Sequence, residues 1–311
     1  SSESYEVPWS HYIRTICFFG IVASMNHMVL LLIQTADVFT LVPNLIEYGL
    51  TETEAMAAKG ILDRGKPLIQ LGTVLGSSFA LSLIPMITSN RSALKSPVVA
   101  RQMHLAINVT FYLATGAVLG LVVIFPEVNV LLFQDMKGTS SLQVLACSIL
   151  LSSLAITLSA ILQGLGFYKR TALFIVGAFL VKWLANRLFV PIWGIQGGAL
   201  ATVFSLLLLT VVLIFVVKRK IEHMKFFETI NWKGLLLAGS GMLIFLFAVK
   251  FFVPLTIQDS RLMLLVHVLF MSVFGAVIFI IILLRTKTFT RRDIAMLPFS
   301  NLLFKLYKER D

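Results

Sequence analysis

Hydrophobic positions in this chain neither alternate nor keep to one helical stripe. They run on unbroken, in about eight stretches near 12–39, 66–88, 104–125, 142–164, 171–190, 194–217, 234–254 and 262–285. Each supplies the roughly 20 apolar residues that a helix rising about 1.5 Å per residue needs to cross a bilayer. Strands of about ten residues with alternating polarity, the mark of a membrane barrel, are missing. The pattern therefore predicts an all-α integral membrane protein with about eight transmembrane helices. Between the first two runs, Thr51-Glu52-Thr53-Glu54 reads as a helix start with acidic residues in its first turn, which predicts a short surface helix over 47–59. In Gly60-Ile61-Leu62-Asp63-Arg64-Gly65-Lys66-Pro67, Pro67 fits an early helical position and Gly65 lets the backbone approach a partner closely.

Composition sharpens the class. With 58% hydrophobic and 13% charged residues, and a mean hydropathy of +0.92, the chain lies far from the roughly 45–50% apolar and 25% charged of soluble domains. A formal charge of +11 would suggest nucleic acid in a soluble chain. Here the basic residues sit in short loops between apolar runs, so they signal topology and no nucleic acid is expected. Arg91, Lys95 and Arg101, then Lys169 and Arg170, then Lys218, Arg219, Lys220 and Lys225 mark cytoplasmic loops. The basic tail after Leu284 puts the C-terminus in the cytoplasm, and an even helix count puts the N-terminus there too. Lys59, Arg64, Lys66 and Arg187 break this rule and become functional candidates. Cys17 and Cys147, inside apolar runs and without metal-type spacing, read as small buried hydrophobes. The chain opens Ser1-Ser2-Glu3-Ser4 with no signal-peptide pattern and reads as a piece of a longer protein. No catalytic set, phosphate loop or metal cluster accompanies the membrane signal, so neither enzymatic activity nor a cofactor is expected.

The polar residues inside the apolar runs carry the candidate chemistry. Ser24, His27, Gln34 and Asp37 share one arc of the first helix, with Asp37 at its outer end. An ionisable group within a span costs about 2.5–3.5 kcal/mol on insertion scales, so Asp37 is a functional candidate by default; the alternative places it in the outer headgroup layer. His27 reads as a hydrogen-bonded packing residue. Arg64 and Lys66 can stand at a cavity mouth, where a guanidinium fork and an ammonium suit phosphate, or can snorkel to headgroups. Lys182, near the middle of its run, should point into the bundle, with Asn186 four residues on along the same face. The small residues from Gly194 to Ala201 permit close helix approach. The stretch 294–308 mixes apolar and basic residues and either lies on the inner leaflet or is disordered.

Three segments together resemble a known family. Gln163-Gly164-Leu165-Gly166-Phe167-Tyr168-Lys169-Arg170, the helix bearing Lys182 and Asn186, and Gly197-Gly198-Ala199-Leu200-Ala201-Thr202 are similar to the lipid-linked oligosaccharide flippases of the multidrug/oligosaccharidyl-lipid/polysaccharide superfamily. Asp37-Val38-Phe39-Thr40, Gly60 to Gly65 and Leu81-Ser82-Leu83-Ile84-Pro85 look most like its MurJ, or YtgP, branch and the SpoVB relatives. The resemblance implies a six-helix lobe plus two additional helices, corresponding to helices seven to fourteen of the family, with the N-terminal lobe outside this chain. Segments 1–11, 218–233 and 286–311 would be cytoplasmic, 12–217 the lobe and 234–285 the extra pair. It implies transport of lipid II, an undecaprenyl-pyrophosphate-linked peptidoglycan precursor, across the bacterial plasma membrane by alternating access. Another polyprenyl-linked precursor, of capsule or teichoic acid, is the alternative substrate. A drug/cation antiporter of the superfamily is disfavoured by the basic residues. Carried over by position, Asp63, Arg64, Lys66 and Lys182 would contact the lipid-linked oligosaccharide pyrophosphate. Asp37, Asn186 and Thr202 would serve cation coupling, by Na+ or by H+ and the membrane potential. The acid that usually follows the Asn position is absent, Leu188, Phe189, Val190 and Pro191 standing there. Partners would be the substrate, membrane lipids and the N-terminal lobe.

Overall fold

A computed structural model describes residues 9, 13, 16, 17, 20, 24, 28–89, 97–220, 230–253 and 260–295. Among them no strand occurs, and six helices are long and apolar enough to cross a membrane. This is a multi-pass, all-helical membrane protein. The helices are α1 (Val29–Glu47), α2 (Glu52–Asp63), α3 (Lys66–Ser89), α4 (Pro97–Phe133), α5 (Thr139–Ala146), α6 (Ser148–Gly164), α7 (Tyr168–Lys220), α8 (Trp232–Phe252), α9 (Arg261–Arg285) and α10 (Arg291–Ala295).

The chain turns at Met28 and α1 runs on to Glu47, through Pro43. A proline usually ends a helix because it removes a donor and crowds the preceding turn. Here Leu41 and Leu45, both buried in the core, hold the helix beyond it. Asp37 is therefore the ninth of nineteen residues, in the middle of α1 and not at its end. Ser24 is exposed on the segment before the turn, and His27 lies outside the described residues.

α2 begins as its sequence predicts. The Thr51 hydroxyl accepts from the Glu54 amide while the Glu54 carboxylate accepts from the Thr51 amide at 2.9 Å, a reciprocal capping box. α3 opens at Lys66 with Pro67 second, where a missing amide hydrogen is harmless.

The pattern predicts two separate helices either side of Pro191, but α7 makes the reversal almost without a loop. Gly194 takes φ 57° and ψ −136°, a positive-φ conformation that residues with a β-carbon rarely adopt, and the legs 168–193 and 194–220 turn back on each other, bringing Lys182 to Gly198 and Phe189 to Phe204. The legs touch so closely that a β-carbon on Gly197 would run into the Phe189 carbonyl. Phe189 also stacks edge-on against Phe204 across the hairpin, ring centroids 5.9 Å apart.

α1 packs chiefly on α7, and α3, α4 and α6 pack on one another and, through α6, on α7. Buried hydroxyls bind these helices where lipid offers no competing water: Thr73 with Ser152 at 2.7 Å and Thr110 with Thr157 at 3.0 Å. α8 and α9 pair with each other and lie against α4. An Arg101–Asp293 ion pair at 2.9 Å fastens α10 to the start of α4. Cys17 and Cys147 are exposed and unpaired, not buried. In a bilayer an apolar run has a lipid-facing side as well as a core side, so apolarity alone did not place them.

Candidate functional site

Lys182 is fully buried, and its ammonium finds three oxygens, one for each hydrogen. It donates at 2.8 Å to Asn186 Oδ1, one turn along the same leg, and at 2.8 Å to the Gly198 carbonyl on the opposite leg. Its third contact is Asp37 Oδ1 of α1, also at 2.8 Å. Asn186 Nδ2 donates to Asp37 Oδ1 at 2.8 Å and to Thr40 Oγ1 at 2.7 Å. Thr202 Oγ1 donates to the same Gly198 carbonyl at 3.0 Å. A buried charge is tolerable only when paired and fully hydrogen-bonded, and this one is. The hairpin at Gly194 makes it so, because it carries Gly198 back beside Lys182.

From this core a line of alternating charge leads toward α2. Lys66 Nζ stands 4.0 Å from Asp37 Oδ2 and 2.5 Å from Asp63 Oδ1, and Asp63 Oδ2 pairs with Lys59 at 2.8 Å. Side-chain exposure rises from 0% at Lys182 to 22% at Lys66 and 33% at Asp63. Burial pushes the Asp63 carboxyl up, but hydrogen bonds and charge from Lys59 and Lys66 outweigh it and hold the group below the usual carboxylate range. Asp63 and Arg64, neighbours in sequence, part company at the end of α2. Arg64 Nη1 binds both oxygens of Asp135, at 2.8 and 2.9 Å, and its guanidinium lies 4.7 Å from the centroid of the Phe133 ring. The Arg64 hydrogen bond, with the Lys137 amide, keeps the Asp135 carboxyl low. Arg187 is exposed and outside the cluster.

A second feature lies beside the first. An apolar cavity of about 470 Å³ opens between α3, α4, α8 and α9, floored by Leu68, Leu71 and Gly72 of α3 and by Gly116, Met242 and Phe279. It begins only two residues along α3 from Lys66.

Comparison with known proteins agrees with this architecture. The chain is similar to a solved structure of the lipid II flippase MurJ in an inward closed conformation, at a TM-score of 0.60 and 14% identity over 89% of this chain and 55% of that one. The chain shares that flippase's fold. No family model matches it. It is 31% identical over 301 residues to YabM, an uncharacterised membrane protein of Bacillus subtilis, covering 96% of this chain and 56% of YabM. It is also 27% identical over 155 residues to an uncharacterised membrane protein of Methanocaldococcus jannaschii, covering 48% of this chain and 35% of that protein. The chain thus spans about half the length, or less, of the curated relatives it matches.

The structure gathers Asp37, Asn186 and the Gly198 carbonyl around the Lys182 ammonium, with Thr202 on the same carbonyl, adds Lys66 and Asp63 on the flank, and sets Arg64 apart on Asp135. Three participants escaped sequence reasoning as site members. Thr40 repeats three residues after Asp37 on the same face, a signal that was present. The Gly198 carbonyl and Asp135 had no such signal, since a backbone oxygen has no residue type and Asp135 looks like any loop acid. Among the described residues no group of three His, Cys, Asp or Glu side chains could hold a metal. The oxygen set that the family resemblance would give to sodium is filled by the Lys182 ammonium, so the residues present do not fit that ion.

Proposed function

We propose that this chain forms the C-terminal lobe and tail-binding helices of a flippase for a polyprenyl-pyrophosphate-linked saccharide, with lipid II as its substrate. The observation that carries the proposal is a basic turn, Arg64 to Lys66, leading into the helix whose residues from Leu68 onward line an apolar cavity framed by α3, α4, α8 and α9. A lipid with a diphosphate head and a long isoprenoid tail has that pair of chemistries. The tail takes the cavity, lined by glycines and aliphatic side chains, and the diphosphate meets the guanidinium and the ammonium. Asp135 occupies one nitrogen of the guanidinium, whose five N–H donors leave others for phosphate oxygens. Lys66 can turn from Asp63 to the ligand, since one acid there is shared between two lysines. The shared fold supports transport by rearrangement of a helical bundle, and the guanidinium and ammonium at the turn, each able to exchange an acidic partner for phosphate, support an anionic cargo.

The test uses the protein at its natural length in cells depleted of their lipid II flippase. Growth should be rescued by the parent and lost with Arg64→Ala at equal expression. Rescue by both would reduce Arg64 to a structural partner of Asp135, and failure of the parent would move the substrate to a capsule or teichoic-acid precursor.

A further inference from the structure

The atoms around Lys182 offer three of the oxygen donors a monovalent cation would take, and the cation they hold is part of the chain. A carboxylate oxygen from α1, an amide oxygen from the first leg of α7 and a backbone carbonyl from the second leg converge on one point, each 2.8 Å from Nζ. These are hard oxygen donors, the kind that alkali and alkaline-earth ions take. They are also oriented for a positive charge. Asn186 gives both amide hydrogens to Asp37 and Thr40, which leaves its oxygen facing Lys182. Thr202 gives its hydrogen to the Gly198 carbonyl. The ammonium has three donors and uses all three.

A mobile cation would have to share Asp37, the only acid in direct contact with Lys182 among the described residues, with that ammonium at the centre of its own ligand set. Two like charges would then face each other in a buried site with one carboxylate between them. We infer that Lys182 is a tethered substitute for a coupling cation: its ammonium joins α1 to both legs of the α7 hairpin, and this site binds no sodium. The link between α1 and α7 is then made and broken by side-chain movement, independent of sodium concentration. The inference rests on the four residues and their distances and not on the substrate proposed above.

The experiment is a melting measurement on the purified protein at its natural length, in sodium chloride and in choline chloride at equal ionic strength. The parent should melt at the same temperature in both. Lys182→Ala should melt lower in choline and rise saturably with sodium, by roughly 2–4 °C at a hundredfold excess over half-saturation. Asp37→Asn with Lys182→Met, which removes both charges, should fold and be indifferent to the salt. A saturable sodium response in the parent would overturn the inference, and that measurement stands whatever the variants do. So would a Lys182→Ala protein that melts alike in both salts. Failure of Lys182→Ala to fold in either salt, while the double variant folds, would also overturn it, because sodium would then be unable to replace the ammonium.

Discussion

Asp63 shows how a single carboxylate can hold two helices at one junction. It accepts from Lys59 one turn back on α2 and from Lys66 at the start of α3, so it ties the outgoing helix to the incoming one. Its ionised form is favoured in the folded state, so its contribution to stability is present at neutral pH, above the unfolded-state value. That contribution is lost as pH falls through the lowered folded-state value. Between pH 7 and 3 the parent should therefore lose melting temperature more steeply than Asp63→Asn, whose junction no longer titrates. Equal slopes would mean that the pairs with Lys59 and Lys66 contribute nothing to folding. The same sign applies to Asp135, but its exposure leaves a smaller effect for solvent to screen.

At the scale of elements, the α7 hairpin is the device that builds the site. Its two legs carry Lys182, Asn186 and Gly198, and they meet only because Gly194 turns with a positive φ and Gly197 has no side chain. Gly194→Ala should cost about 1–3 kcal/mol from backbone strain. It also brings the new methyl to 3.2 Å from the Tyr48 ring, a contact the ring can relieve by shifting. Gly197→Ala should be worse, since its methyl meets the backbone of Phe189 and neither leg can yield locally. Forcing the legs apart would also lengthen the Lys182 bond to Gly198. Melting of the two variants beside the parent checks the order, and a Gly197→Ala protein as stable as Gly194→Ala would show that the legs slide easily. Sequence reasoning found both legs and marked the small residues between them as packing. It placed the reversal between 190 and 194, but not its tightness or the bonds across it, because a proline followed by glycine does not say how closely the two legs approach.

Across the whole molecule, the bundle formed by α1, α3, α4, α6 and α7 bears the charged cluster, while α8 and α9 complete an apolar cavity against α3 and α4. If the cavity holds a lipid tail, filling it should abolish function without unfolding the protein. Gly120 is the position to fill, because a β-carbon there meets nothing nearer than Met242 at 4.0 Å. Gly120→Phe should keep its melting temperature within a few degrees of the parent and lose polyprenyl-lipid binding. Leu236→Phe, on the exposed face of α8, should leave both unchanged. Unaltered lipid binding by Gly120→Phe would remove the cavity from the transport route.

What the sequence by itself determined was the solvent this protein lives in and the secondary structure that solvent permits. Unbroken apolar runs must satisfy their backbone internally, and helices do so at short range, so the all-helical class, the approximate places of the described helices and the capping of α2 were legible. So was the identity of the costly residues, because an Asp, a Lys and an Asn inside such runs stand out individually. Only the tertiary structure decided who meets whom. Asp37 and Asn186 are 149 residues apart and Arg64 and Asp135 are 71 apart. Each of those bonds depends on how helices pack, and packing follows the summed shape of many side chains rather than the type of any one residue. The position of Asp37 at mid-helix, the close approach of the two legs of α7 and the occupation of the oxygen cluster by Lys182 all belong to that second kind of information.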